Sequence, residues 1–98
     1  MRILHLTLKK KWFDMILSGK KTEEYREVKP YWIKRLSSKS YDAIHFRNGY
    51  SAGSPAFTIE LLDISRSLGI VEWGAPEGEV VYMLKLGKIL ENNPTQSV

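Results

Sequence analysis

The sequence predicts an α+β domain: a small, mostly antiparallel barrel or curled sheet of about five to six strands, flanked by two short helices. Three observations predict it. The chain has 98 residues, enough for one hydrophobic core and too few for two. The first half alternates strand and helix patterns. The second half carries period-two apolar segments with no crossover helix between them, which argues against a doubly wound parallel sheet.

The elements follow in order. Ile3 to Leu8 alternates, with Leu4, Leu6 and Leu8 on one face and Ile3, His5 and Thr7 on the other, a half-buried strand. About Lys10 to Ser18, Trp12, Met15 and Ile16 recur at helical spacing, widened by Phe13 and Leu17. Gly19 then stands where a left-handed C-terminal cap belongs. Lys20 to Val28 reads as extended. Pro30 opens a second helix over about Tyr31 to Leu36, with Lys34 and Arg35 outward. Ser37 to Ser40 is a polar connector, Asp42 to Arg47 a strand, and Asn48 to Pro55 a loop. Ala56 to Arg66 is the longest strand candidate, with Phe57, Ile59 and Leu61 on one face. Glu72 to Gly78 is a Gly/Pro loop, and Val80 to Leu86 a strand that Gly87 bends. One domain is expected over residues 1–90 and a flexible tail over 91–98.

Composition removes several classes of chemistry. The chain contains no cysteine, which excludes a disulfide scaffold, a thiolate metal site and a cysteine nucleophile. The first apolar run precedes Lys9-Lys10-Lys11 rather than following a basic region, the wrong order for a secretion signal. No stretch reaches membrane-spanning length, so a cytoplasmic protein with no membrane partner is expected. Charge is uneven: residues 1–49 hold twelve Lys or Arg against five acids, a balance of +7, whereas residues 50–98 hold three against six, a balance of −3. The basic half also carries Trp12, Phe13, Tyr25, Tyr31, Trp32, Tyr41 and Phe46. Cations interleaved with aromatics suit a nucleic-acid surface; a solvated face over an aromatic core produces the same pattern.

One segment breaks the strand pattern. In Lys20 to Val28 one face would present Thr22, Glu24, Arg26 and Val28, the other Glu23, Tyr25 and Glu27. Neither face is apolar, and an inward charge needs a partner. Glu24 and Arg26 are two residues apart, so they can share a face and pair. Lys21 brings a second cation to the same region, where desolvation would lower its pKa. The alternative is an edge strand whose charges prevent edge-to-edge pairing.

Gly19-x-Lys21-x-x-Glu24-x-Arg26 resembles the GxKxxExR signature of the ASCH domain, a member of the PUA-like superfamily. The helix carrying Trp12 and Ile16, Pro30-Tyr31-Trp32, the Phe46-x-Asn48-Gly49 turn and Gly87-Lys88-Ile89 extend the resemblance to about residue 90. It implies a PUA-like barrel with the signature lining a cleft between barrel and helix, and RNA or modified-base binding. Some small ASCH proteins are enzymes, an acetylcytidine amidohydrolase group and a ribonuclease among them. The amidohydrolase group uses a Lys and a Thr within the motif and a later Glu. Lys21 matches that Lys, Glu24 stands in place of the Thr, and Glu72, Glu77 and Glu79 lie in the region of the later Glu.

Other candidates are weaker. His5 and His45 fall on strands without metal-ligand spacing, so no metal and no cofactor are expected. Arg47, Asn48 and Tyr50 could meet a base edge or face, although Asn48-Gly49 also reads as turn chemistry. Trp12, after Lys9 to Lys11, reads as a helix anchor rather than a border of the cleft, and Trp73 as a lid or a loop pin. The expected function is RNA, nucleotide or nucleoside binding, with Lys21, Glu24, Arg26, Arg47, Asn48 and Tyr50 as ligand contacts. Two alternatives remain: a small hydrolase using Lys21, Glu24 and Arg26 catalytically, and a protein-interaction adaptor.

Overall fold

The computed structural model describes residues 1–37 and 40–93. Five strands form one sheet: β1 (Ile3–Thr7), β2 (Glu23–Glu27), β3 (Ala43–Arg47), β4 (Ala56–Leu68) and β5 (Val80–Asn93). Two helices, α1 (Lys10–Leu17) and α2 (Pro30–Leu36), separate the first three strands, and a 3₁₀ turn covers Val71–Trp73. The spatial order is β1-β3-β4-β5-β2. Among the described residues only β1 and β3 run parallel; the other pairs are antiparallel. The α+β class and its two short helices are those the sequence predicts. The sheet is a curled half-barrel rather than a ring of ladders: β1 and β2 are its two free edges.

Alternation places the core. Leu4 and Leu6 of β1, Ile44 and Phe46 of β3, Phe57, Ile59 and Leu61 of β4, and Tyr82, Leu84 and Leu86 of β5 all point into the concave side. Phe13 and Ile16 of α1 and Leu36 of α2 close that side. Phe57 sits at the centre, edge-on to Phe13 and tilted against Phe46, with ring centroids 4.9 and 5.6 Å away. A smaller cluster of Tyr25, Ala75 and Val81, with Trp73 and Met83 against it, lies beneath the 3₁₀ turn.

Two long strands bend to serve both regions. The β4–β5 register shifts near Thr58, Ile59 and Leu61, as bulges do when a ladder must curl. Gly87 lies opposite this stretch, and a Cβ there would collide with the Glu60 carboxylate. The bend expected at Gly87 is therefore a kink inside a continuing strand. β5 runs on to Asn93, three residues into the stretch expected as a tail; residues 94–98 lie outside the described residues, as do Ser38 and Lys39 of the connector. Among the described residues, no helix is long and apolar enough to cross a membrane.

Helix α1 ends as the sequence predicts. Gly19 adopts φ 87°, its N–H donates to the Ile16 carbonyl, and the Lys21 N–H donates to the Met15 carbonyl. This turn delivers Lys21 to the inner side of the sheet at its β2 edge.

Packing around Gly69 provides a test of the smaller cluster. A Cβ there would lie 2.6 Å from the Ala75 Cβ and 2.8 Å from the Tyr25 ring. Gly69→Ala is expected to lower stability by about 1–3 kcal/mol. Gly53→Ala, with nothing within 4 Å, should change it by no more than about 0.5 kcal/mol. Denaturant midpoints compare the two; equal midpoints would contradict the close packing.

Candidate functional site

The charged segment resolves into a buried chain of three ions. Lys21 is 1% exposed and Glu24 4%. Lys21 Nζ lies 3.2 Å from Glu24 Oε1 and donates to the Trp73 carbonyl at 2.6 Å. It also sits over two ring faces, 4.6 Å from the Tyr25 centroid and 5.1 Å from that of Trp12. The other carboxylate oxygen of Glu24 accepts from Arg26 Nη1. Burial lowers the Lys21 ammonium below the ordinary amine range, and the Glu24 carboxylate opposes that shift.

Arg26 carries the chain to the surface. Its Nη1 also donates to the Tyr25 carbonyl at 3.1 Å, and its Nη2 donates to the Thr7 carbonyl at 3.3 Å. Thr7 belongs to β1, so Arg26 spans the opening between the two free edges of the sheet. Its guanidinium lies over the Trp32 ring, 5.2 Å from the centroid. Arg26 Nε is buried without an acceptor among the described residues. β2 is thus an edge strand whose inner face is filled by a solvated-looking sequence that is in fact paired.

A cleft of about 590 Å³ opens at this point. Glu24 and Arg26 line it together with His5, Thr7 and Leu8 of the β1 segment. Lys9 and Trp12 flank one side, and Tyr31, Trp32 and Arg35 of α2 the other. Tyr50, 89% exposed, reaches in from the loop after β3. Arg35 lies over both Tyr31 and Trp32, so two guanidinium groups flank the same indole.

The other expected residues fall at different distances from this cleft. Lys21 lies behind it, screened by Trp12, Tyr25 and Glu24, and does not line it. Asn48 serves the turn: its Nδ2 donates to the Leu8 carbonyl at 2.9 Å, and its N–H to the Pro55 carbonyl. Arg47 lines a smaller cleft beside His5 and His45. Glu72, Glu77 and Glu79 are exposed and none lines the main cleft.

Sequence reasoning missed the α2 wall. Tyr31, Trp32 and Arg35 occupy i, i+1 and i+4 of a short helix, which places them on one side, and this spacing was a usable signal. The Thr7 and Trp73 carbonyls left no trace in side-chain patterns. Trp73 resolves between its two readings: its main chain receives Lys21, and its indole packs on the smaller cluster. Trp12 anchors α1, with its ring against Gly74 at φ 102°, and also borders the cleft.

Tyr25 completes the framework. Its hydroxyl donates to Glu23 Oε1 at 2.7 Å and accepts from the Ile70 N–H at 3.0 Å. Burial pushes the phenol up to about 12.

Two outcomes test this arrangement. Lys21→Met removes one partner of a buried ion pair and should cost about 3–5 kcal/mol. Lys10→Met, which breaks the exposed Lys10–Asp14 pair, should cost less than about 1 kcal/mol; similar losses in the two variants would refute the buried chain. For Tyr25, the unfolded phenol ionises near its ordinary value of 10.0 while the folded one holds its proton to about 12. Folding stability should therefore fall as pH rises across that window, and Tyr25→Phe should lose less over it. Ultraviolet titration of the folded wild type should show one late-ionising tyrosine that the variant lacks. Comparison with models of protein families, with curated proteins and with solved structures found no match in any of the three.

Proposed function

We propose that this chain binds single-stranded RNA or a modified nucleotide in the cytoplasm, taking one base into the main cleft. The observation that carries this reading is the Arg26 guanidinium held over Trp32 and tied to Glu24 and the Thr7 carbonyl. That grouping offers a base a flat cation–aromatic face, an anionic acceptor and a buried N–H donor in one place. Tyr31 and Tyr50 add exposed ring faces at the rim, and Lys9 and Arg35 add charge for phosphates. Glu24 retains lone pairs beyond those used by Lys21 and Arg26, so it can accept from a base amino group. Lys21 is a positioning residue that holds Glu24 from behind. The resemblance of Gly19 to Arg26 to the ASCH signature supports the same reading.

A hydrolytic role would need the Lys21 amine at the substrate. Its side chain is 0% exposed and committed to Glu24 and the Trp73 carbonyl, which favours binding over catalysis.

Fluorescence anisotropy with a short, labelled, mixed-sequence single-stranded RNA tests the proposal. Affinity should fall steeply with added salt, and Trp32→Ala should weaken it by about 1–3 kcal/mol, roughly 5- to 150-fold. Absence of binding by the wild type at low salt would remove the reading. Turnover of acetylcytidine by the wild type, lost in both Glu24→Gln and Lys21→Met, would replace it with the hydrolytic one.

A further inference from the structure

A second, smaller cleft of about 180 Å³ lies on the outer side of the sheet, lined by His5, Leu6, Thr7, His45 and Arg47. Its walls follow from register. In the parallel β1–β3 pair, His5 stands beside His45 and Thr7 beside Arg47. All four share the parity opposite to the core residues Leu4, Leu6, Ile44 and Phe46. The two imidazoles meet with centroids 5.3 Å apart. His45 Nδ1 is 3.0 Å from Thr58 Oγ1, which leaves Nε2 for another partner. Among the described residues, no acid lines this cleft.

We propose that this cleft is a phosphate subsite, which holds the phosphate attached to the nucleoside whose base enters the main cleft; the assignment rests on the nucleotide reading above. Three observations carry it. Donor chemistry is concentrated there: two imidazoles, the Thr7 position and a guanidinium, the side chain best suited to phosphate. Arg47 Nε is buried and has no acceptor among the described residues, an arrangement that needs an explanation in a folded protein. His5, Leu6 and Thr7 line both clefts, so one short stretch of β1 separates a bound base from its own phosphate.

Electrostatics agrees. Burial, then His5 and Arg47, lower the pKa of His45, and Glu91 of β5 opposes them weakly from the far side, beyond the uncharged Thr58 of β4. Arg47 is the fixed cation of this lining, and an anion bound beside it would favour the charged form of His45. A cation site is disfavoured by the same guanidinium.

The test uses the two histidines, the chain's full complement, as reporters. Their ring C–H signals are followed by NMR during titration with inorganic phosphate, with each of the four ribonucleosides, and with the 3′- and 5′-monophosphates of each. At least one monophosphate should bind ten-fold or more tightly than its nucleoside and shift both histidine signals. Arg47→Met should abolish that advantage while leaving nucleoside affinity unchanged. His5→Gln, at an exposed position, should reduce it several-fold and serves as the second variant if Arg47→Met does not fold. Nucleosides that bind with no gain from a phosphate, or a gain that survives both variants, would overturn the subsite alone. If inorganic phosphate shifts the histidines but no nucleoside or nucleotide binds, the nucleotide reading of the main cleft falls, and the assignment to a nucleotide's phosphate falls with it.

Discussion

Burying the Lys21 ammonium is the constraint around which the open side of the sheet is organised. A desolvated charge must find partners from whatever surrounds it. Here they come from four places: the Glu24 carboxylate of β2, the Trp73 carbonyl of the 3₁₀ turn, the Trp12 face of α1 and the Tyr25 face of β2. Each partner is held in turn. Glu24 holds Arg26, and Arg26 holds β1 through Thr7 and α2 through Trp32. One buried amine thereby connects every element around the cleft.

The alternation of sign along this chain gives the cleft its character. Glu24 lies between two cations, so the innermost charge is neutralised and the outer guanidinium faces the opening. The groups at the cleft floor are fixed by the fold, which lowers the ordering cost of recognising a ligand. Exposed aromatics occupy the rim instead, with Tyr31 at 58% and Tyr50 at 89% exposure. For the proposed ligand, a rigid polar floor would discriminate by hydrogen bonding, and accessible ring faces would contribute stacking that tolerates variation.

Much of this was legible in the residues. The period-two runs of β1, β3 and β4 and the helical spacing of α1 located the core, because burial on one face imposes those periods. The failure of Glu23–Glu27 to show an apolar face marked a strand of paired charges, and Glu24 and Arg26 pair as their spacing requires. Both readings of that strand hold, since it is a sheet edge and also lines a cleft. Lys21 was legible as a cation that desolvation would perturb; its bond to the Trp73 carbonyl was not, because a main-chain acceptor leaves no side-chain pattern. The spacing of Tyr31, Trp32 and Arg35 puts them on one side of α2, but that this side walls the cleft is a tertiary fact. Asn48 illustrates the reverse case: turn chemistry accounts for its contacts without any ligand.

The register of β2 has a consequence for how the molecule comes to be built. β2 pairs along its whole length with β5, joining Glu23 to Lys85, 62 residues on, and Glu27 to Val81, 54 residues on. Among the described residues its other edge has no strand. Pairings this distant in sequence are slow to close. Glu24 and Arg26 sit on the β2 side of that ladder and Lys21 just before it, so closing the ladder and assembling the ion chain are one event. A molecule in which β2 has come away from β5 has also lost the floor of its cleft.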